Sequence, residues 1–270
     1  MTKIALVTGA SAGIGKATVR QLLADGFVVY GAARRLENMR DIEEEGAIPL
    51  RMDLTVDEEI VSAVERIRAD HGGVDVLVNN AGYNSAGPVE HVPIDEARRQ
   101  FEVNLFGLGR LTQLVIPDMR ARGGGKIVNV ASVGGKAHTP LGAWYHAAKF
   151  ALEGWSDCLR VELQAFDIDV IIIEPGGVKS EFAGIMDERT RATTKGTAYE
   201  QLAESVLATT AKSADKQAPP EEIASTIGKA VRAKRPRTRY VTGYMARPLL
   251  LTRSVLSDRM YDRIIMSMMS

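Results

Sequence analysis

Residues 4–15 read Ile-Ala-Leu-Val-Thr-Gly-Ala-Ser-Ala-Gly-Ile-Gly, a short apolar run followed at once by a loop with three glycines. The apolar run predicts a buried first strand, and the loop is followed by a segment with helical character. Glycines in such a turn remove side chains, so that the backbone can approach a pyrophosphate at the positive end of the helix. The stretch therefore favours a strand, a phosphate-binding turn and a helix; the alternative is a tight turn without a ligand.

A kinase-type phosphate loop is excluded at two positions, although Gly15 and Lys16 form the required pair. That motif also needs glycine five residues before Gly15 and serine or threonine directly after the lysine. The sequence has Ala10 and Ala17 at these places.

Short apolar runs alternate with longer segments of helical period along the chain, which is typical of a parallel sheet covered by helices on both faces. We therefore predict an α/β fold of the Rossmann type, a doubly wound parallel sheet of about seven strands in a single domain spanning residues 1–270. Two segments depart from the alternation: residues 181–220, which we interpret as a substrate lid, and residues 245–270, a C-terminal helical extension. The predicted strands are Ile4–Val7, Val28–Ala32, Ile48–Met52, Val74–Val78, Ile127–Val130, Val170–Ile173 and Tyr240–Val241, with helices over Val56–Arg68 and Ile94–Met119 among the connections.

Composition excludes several classes of function. The chain has 34 Lys and Arg against 34 Asp and Glu, so it lacks the positive excess of a general nucleic-acid binder. Cys158 is the single cysteine and can form neither an internal disulfide nor a cysteine metal site, which fits a cytoplasmic protein. No apolar stretch approaches the ~18–20 residues of a membrane helix. The four histidines show no metal-ligand spacing, so no metal is expected.

The glycine loop resembles that of the classical short-chain dehydrogenase/reductase family. Its members carry a Thr-Gly-x-x-x-Gly-x-Gly loop, matched here at Thr8, Gly9, Gly13 and Gly15. The resemblance extends to about residue 180 and more loosely to the end of the chain. It implies a nicotinamide dinucleotide held by the loop residues Gly9, Ser11, Gly13, Ile14 and Gly15.

The end of the second strand indicates which dinucleotide. An acidic residue there binds the ribose hydroxyls of NAD, whereas a guanidinium can bind the 2′-phosphate of NADP. The family's acidic position falls on Ala33, and Arg34 and Arg35 follow it, so NADP(H) is favoured over NAD(H). The glycine loop carries no basic residue of its own, since Ser11 and Ala12 stand there. A methyltransferase, which also uses a glycine loop on a similar sheet, would need the missing acid.

The resemblance implies further cofactor contacts after the later strands. Asp53 and Leu54 match the pair that contacts adenine. Residues 79–82, Asn-Asn-Ala-Gly, match a family motif in which small residues let the cofactor lie against the backbone. A Pro-Gly segment after the sixth strand contacts the nicotinamide carboxamide. The cofactor residues in these segments are Asn80, Ala81, Gly82, Pro175, Gly176, Val178 and Ser180.

Tyr145 and Lys149 lie four residues apart, so on a helix they share one face. A free tyrosine has a pKa of about 10, and a nearby ammonium lowers the pKa by stabilising the phenolate. The resemblance makes Asn104, Ser132, Tyr145 and Lys149 the catalytic set. In it Tyr145 exchanges the proton, Ser132 polarises the carbonyl, Lys149 also holds the nicotinamide ribose, and the Asn104 amide holds a water. His146 is expected to point away from this helix face.

Together these features predict an NADP(H)-dependent oxidoreductase that interconverts a carbonyl and an alcohol by hydride transfer. The substrate is expected to be apolar, of steroid, retinoid, lipid or aromatic type. The alternative is a non-catalytic NADP(H)-binding module that senses redox state. The resemblance implies a homodimer or homotetramer formed through the helices bearing Asn104 and Tyr145. The C-terminal extension is expected to pack on the body or on a partner subunit; a pocket wall or a weak peripheral membrane contact is the alternative.

Overall fold

The predicted apolar runs form one parallel sheet in the computed structural model, which describes residues 2–179 and 181–269. The described chain contains seven strands: β1 Ile4–Thr8, β2 Val28–Ala33, β3 Ile48–Arg51, β4 Val76–Asn79, β5 Gly125–Val130, β6 Ile168–Pro175 and β7 Arg239–Thr242. They lie in the order β3-β2-β1-β4-β5-β6-β7. Because β1 lies between β2 and β4, the strand order reverses there, and in such sheets ligands bind at the carboxyl ends of the strands beside the reversal. The predicted doubly wound α/β fold is confirmed.

Helices cover both faces of this sheet because alternate residues of each strand point to opposite sides. Leu6 packs in one core with side chains from residues 60–67, 111–119 and 159–163, whereas Val7 packs in a second core with Ile42 and side chains from residues 19–22 and 223–231. The helices are α1 Gly13–Ala24, α2 Arg40–Glu44, α3 Asp57–His71, α4 Ile94–Phe101, α5 Gly107–Ala121, α6 Ala143–Leu163, α7 Glu181–Thr194, α8 Glu200–Lys212, α9 Pro220–Arg232, α10 Ala246–Val255 and α11 Asp258–Ser267.

The helix predicted over Ile94–Met119 is not a single regular helix. A π-helical turn, Glu102–Phe106, separates α4 from α5 and contains the fully buried Asn104. Such turns widen the helix by one residue and are frequent at functional sites. Directly after it, a Cβ added to Gly107 would lie 2.1 Å from the Leu54 carbonyl oxygen, so glycine lets α5 approach the end of β3.

The two segments that break the alternation are helical. Residues 181–220 contain α7 and α8, and α7 contacts the loop after β4 through Thr193, whose carbonyl oxygen lies 3.1 Å from His91 Nδ1. The C-terminal residues form α10 and α11, and Tyr261 of α11 donates a hydrogen bond to the His138 carbonyl at 3.2 Å. In the part of the chain that the structure describes, no helix combines the length and the apolarity needed to cross a membrane.

Candidate active site

A cavity of about 600 Å³ opens at the carboxyl edge of the sheet, where β1 and β4 meet. It joins the glycine loop to the end of β2 and to the start of α6. Gly15 and Asn104 do not line it, and Ser180 lies outside the described residues. The predicted residues on its wall are Gly9, Ser11, Gly13, Ile14, Arg34, Arg35, Asp53, Leu54, Asn80, Ala81, Gly82, Ser132, Tyr145, Lys149, Pro175, Gly176 and Val178.

The glycine loop forms a cradle that side chains would fill. Gly9 has φ +68°, and a Cβ there would lie 2.9 Å from Asn80 Nδ2. At Gly15 a Cβ would meet the Gly9 carbonyl oxygen at 2.2 Å, so Gly15 supports the loop from behind. No side chain caps the N-terminus of α1, where Ala12 precedes the helix. The bare loop and the uncapped helix end fit the pyrophosphate of a dinucleotide.

We expect Gly15→Ala to destabilise the protein, because the loop leaves no room for a side chain at this position. The added methyl group overlaps a backbone oxygen that cannot move without displacing the loop, which costs about 1–3 kcal/mol. Gly184→Ala is the matched control, because nothing lies within 4 Å of its added Cβ on α7. There the better helix propensity of alanine predicts unchanged or slightly higher stability. Urea denaturation compares the free energies of unfolding, and a Gly15→Ala protein as stable as the parent contradicts the tight packing.

Arg34 and Arg35 line the cavity beside the end of β2, and no acidic residue stands at that strand end. Ala33 ends the strand, and Arg34, whose side chain is 61% exposed, has Nη1 4.0 Å from Asp53 Oδ2. Asp53 Oδ1 accepts hydrogen bonds from the Thr55 amide at 3.0 Å and from its hydroxyl at 2.8 Å. Burial raises the pKa of Asp53, but the Thr55 hydrogen bonds and the charge of Arg34 outweigh it and leave the pKa below its usual value.

The Asn-Asn-Ala-Gly segment joins neighbouring strands. Asn79 Nδ2 donates to Asn129 Oδ1 of β5 at 2.9 Å, and Asn80 Nδ2 donates to the Thr8 carbonyl of β1 at 2.9 Å. The amide of Ala81 donates to Thr8 Oγ1 at 3.0 Å. These bonds fix the segment at the point where the strand order reverses.

Asn104 lies behind this segment instead of facing the cavity. Its Oδ1 accepts from the Tyr83 amide at 3.1 Å, and its Nδ2 donates to the Tyr83 carbonyl at 2.9 Å. The Tyr83 backbone thus engages both ends of the Asn104 amide, and the expectation that this amide holds a water stays a prediction. Its position supports the wall: a Cβ added to Gly82 would lie 3.2 Å from Asn104 Oδ1.

Ser132, Tyr145 and Lys149 converge on one side of the cavity. Ser132 follows β5, and its Oγ accepts from the Gly134 amide at 3.0 Å, which fixes the rotamer of the hydroxyl group. The Tyr145 and Ser132 side chains are hydrogen-bonded. Lys149 Nζ donates to the Val130 carbonyl at 2.7 Å and lies 5.9 Å from the centroid of the Tyr145 ring. The predicted one-turn spacing of phenol and ammonium is present on α6.

Burial acts against charge on both groups. It raises the pKa of Tyr145, and the hydrogen bond from Ser132 offsets only part of the rise. Burial also lowers the pKa of Lys149 to about 8, although the carboxylate of Glu153 opposes this. The sequence-based expectation of a lowered Tyr145 pKa is therefore wrong for the protein without cofactor. Burial destabilises the phenolate more than the Ser132 hydrogen bond stabilises it.

His146 has a positioning contact that helix-face reasoning missed. Its Nε2 accepts from the Thr139 amide at 3.1 Å, and its Nδ1 donates to the Gly134 carbonyl at 2.9 Å. Burial lowers the pKa of the imidazole, which favours this neutral form. His146 does not line the cavity, and its ring is held by the loop after Ser132, which folds back onto α6.

Several wall residues carry no sequence motif. Arg189 of α7 donates to Glu96 Oε2 at 3.2 Å, and its guanidinium lies 5.2 Å from the centre of the Tyr83 ring. Only the approach of α7 to the loop after β4 reveals these contacts. The wall residues without a sequence signal include Tyr83, Asn84, Glu96, Arg99, Val103, Ile185 and Arg189.

The fold and the cavity define a dinucleotide-binding protein, and comparisons identify its family. A family model described as short chain dehydrogenase matches residues 3–190. An NADPH-dependent 3-dehydrocapnine reductase of Ornithobacterium rhinotracheale is 34% identical, over 97% of this chain and 95% of that protein. A 3-ketodihydrosphingosine reductase of Bacteroides thetaiotaomicron is also 34% identical, over 96% and 94%. A solved short-chain dehydrogenase from Streptomyces avermitilis superposes with a TM-score of 0.81 at 33% identity, covering 97% and 94% of the two chains. The chain belongs to the short-chain dehydrogenase/reductase family of oxidoreductases.

Proposed function

We propose that this chain uses NADP(H) to interconvert a ketone and a secondary alcohol on an apolar, lipid-like substrate. The observation that carries the proposal is a shared cavity. The hydrogen-bonded pair Ser132 and Tyr145, with Lys149 beside it, lines the same cavity as the glycine loop and the arginines after β2. The names of two relatives, which state reduction of 3-keto or 3-dehydro compounds and in one case dependence on NADPH, support the substrate class and the cofactor.

The residues around the cavity have separate roles in cofactor binding and in proton transfer. The glycine loop holds the pyrophosphate, and Arg34 and Arg35 bind the 2′-phosphate. A bound nicotinamide supplies or accepts the hydride. The Gly134 amide fixes the rotamer of Ser132, and Ser132 Oγ donates a hydrogen bond to the substrate oxygen. Tyr145 Oη gives its proton to that oxygen in reduction and takes it back in oxidation.

Lys149 supports this proton transfer through its positive charge next to Tyr145. Its ammonium stabilises negative charge on the phenol and donates to the nicotinamide ribose. Asn104 acts indirectly by fixing Tyr83 and the adjacent Gly82 at the cavity wall. The residues contributed by α7, including Ile185, cover the substrate side, so we assign the segment 181–220 to the substrate lid.

The same family resemblance leads us to propose a homo-oligomer formed through the π-helical turn and α6. Large apolar side chains are exposed on these elements: Phe106 is 55% exposed, Phe150 46% and Val161 66%. Burying such side chains between subunits removes apolar surface from water.

Replacing Arg34 by alanine tests the cofactor choice. A lost charge-assisted pair of hydrogen bonds costs about 1.5–3 kcal/mol, so we expect the Kd for NADPH to rise about 10- to 100-fold. The Kd for NADH, which has no 2′-phosphate, should stay within a factor of about two. Arg40→Ala on α2 is the matched control, because this exposed arginine lies outside the cavity. Nicotinamide fluorescence gives both constants; equal losses for NADPH and NADH contradict a 2′-phosphate contact.

A further inference from the structure

One side chain of α6 ties both ends of the loop that follows Ser132 to the helix. His146 has Nδ1 2.9 Å from the Gly134 carbonyl oxygen and Nε2 3.1 Å from the Thr139 amide nitrogen. The ring fills the space between two glycines. A Cβ added to Gly134 would lie 3.0 Å from Nδ1, and one added to Gly142 would lie 3.0 Å from Nε2. A single imidazole thus closes the loop onto the helix.

The two backbone partners define the protonation state of the ring. A carbonyl can only accept and an amide N–H can only donate, so Nδ1 carries the hydrogen that goes to Gly134 and Nε2 is the bare nitrogen that accepts from Thr139. Protonation of Nε2 would set two N–H donors against each other and break the bond to Thr139. Burial lowers the pKa of the imidazole; the bond to the Gly134 carbonyl opposes this lowering, and charge on His138 adds to it.

Gly134 is also the residue that holds the Ser132 hydroxyl. Its amide donates to Ser132 Oγ at 3.0 Å, and Ser132 is the N-cap of the short 3₁₀ turn Val133–Gly135. The carbonyl and the amide of Gly134 belong to one residue of a tight turn, so holding the carbonyl also fixes the direction of the amide. Tyr145 is hydrogen-bonded to the same serine. A chain of contacts therefore runs from His146 through Gly134 to the hydroxyl group in the site.

The outer side of the loop is held separately by the C-terminal extension. Tyr261 of α11, which is fully buried, donates to the His138 carbonyl at 3.2 Å, and Asp262 Oδ1 lies 3.0 Å from His138 Nε2. These contacts go to residue 138 and not to Gly134. The loop thus has an inner tether that leads to Ser132 and an outer tether that does not, and each can be removed without the other.

We infer that His146 is a positioning residue for Ser132: its neutral imidazole holds the Gly134 backbone and so sets the direction of the Ser132 hydroxyl. His146 does not line the cavity, so it acts through Gly134 and not on the substrate. The effect on turnover rests on the proposed function. The tether itself does not, because it can be measured without a substrate.

Hydrogen exchange of the Gly134 amide measures the tether in the intact protein. Residues 133–134 are the only Val-Gly pair in the chain, so valine labelled with ¹³C at the carbonyl and glycine labelled with ¹⁵N select this amide for NMR. We expect exchange about tenfold faster or more in His146→Leu, because loss of the hydrogen bond lets the turn open. Tyr261→Phe, which removes the outer hydrogen bond and keeps the ring, should leave exchange within about twofold. Parental exchange in His146→Leu, or equal acceleration in both variants, overturns the inference.

His146→Asn separates the hydrogen bond from the shape of the side chain. Asparagine and leucine are similar in size and shape, but the asparagine Nδ2 can donate to the Gly134 carbonyl from nearly the position of the histidine Nδ1. We expect His146→Leu to lower the single-turnover rate of ketone reduction about 10- to 100-fold, because a misplaced hydrogen-bond donor stabilises the transition state less. KM and the Kd for NADPH should stay within about twofold.

His146→Asn should recover most of this rate, and Tyr261→Phe should keep the parental rate. Equal rates in His146→Leu and His146→Asn overturn the inference, because the hydrogen bond to Gly134 then makes no difference.

The pH dependence of the rate tests the role of the imidazole itself. Protonation of His146 breaks its bond to Thr139, so the parental rate should fall on the acid side, below the usual pH range of histidine because the pKa is lowered. The titratable groups that face the ring are His138 in the loop and Tyr145 on α6. His146→Asn has no nitrogen that titrates there and should lack the fall. The same acid fall in both proteins contradicts a role for the neutral imidazole.

Exchange and turnover together separate this inference from the proposed function. Faster Gly134 exchange in His146→Leu, in a protein whose parent reduces no carbonyl, supports the tether and contradicts the proposed function. Faster exchange together with an unchanged rate of reduction contradicts the control of Ser132 by His146.

Discussion

Tyr145→Phe is expected to lower kcat for ketone reduction by about 10³-fold while leaving the Kd for NADPH within about twofold. A positioned proton donor contributes typically 10²–10⁴-fold, and phenylalanine keeps the ring while removing the hydroxyl group, the only side-chain group of Tyr145 with an exchangeable proton. The ring stays on the cavity wall, so cofactor binding has no reason to change. Stopped-flow absorbance of NADPH gives the rate, and nicotinamide fluorescence gives the affinity.

The control for this variant is Tyr240→Phe. Tyr240 lies on β7, its hydroxyl accepts from the Arg237 amide at 3.1 Å, and it does not line the cavity. It should retain the parental kcat. If Tyr145→Phe retains the parental turnover, Tyr145 is not the proton donor. Absent turnover in the parent with intact NADPH binding favours the non-catalytic, redox-sensing alternative.

Lys149→Met should have the second largest effect, a fall in kcat of about 10²–10³-fold together with roughly tenfold weaker NADPH binding. The first part follows from loss of a preorganised positive charge beside the phenol, and the second from loss of a charged donor to the ribose. Methionine retains most of the buried aliphatic volume, so the variant is expected to fold. The split between rate and affinity distinguishes it from Tyr145→Phe, which changes the rate alone.

Lys126→Met is the matched control for the lysine. Lys126 Nζ also donates to a backbone carbonyl, that of Val231 at 2.8 Å, and burial likewise lowers its pKa. It lies on β5 away from the cavity, so its loss should affect stability without changing the Kd for NADPH. If both lysine variants lose turnover equally, the role of Lys149 reduces to general structural support.

The fold and the cofactor side of the site follow from local sequence signals. Continuous apolar runs give the strands, and a glycine at a strand end, such as Gly9, marks a close backbone approach whatever the rest of the chain does. Tyr145 and Lys149 could be paired in advance because their spacing alone places them on one helix face. Each of these features involves residues close together in sequence.

Features that depend on how distant elements meet could not be predicted. The π-helical turn arises where the segment containing Asn104 packs against Tyr83, and nothing in residues 94–119 alone shows that contact. The hydrogen bond between His146 and the Gly134 carbonyl forms only because the loop at Gly134 folds back onto α6.

Transfer of deuterium from NADPH to the product tests whether this protein transfers a hydride. NADPH carrying deuterium at C4, prepared separately for each face of the nicotinamide, is incubated with the protein and a long-chain 3-ketone such as 3-ketodihydrosphingosine. We predict that one of the two labels appears on the carbinol carbon of the product by mass spectrometry, and that Tyr145→Phe suppresses it. If neither labelled form of NADPH transfers deuterium to the product although NADPH is bound, hydride transfer by this protein is contradicted.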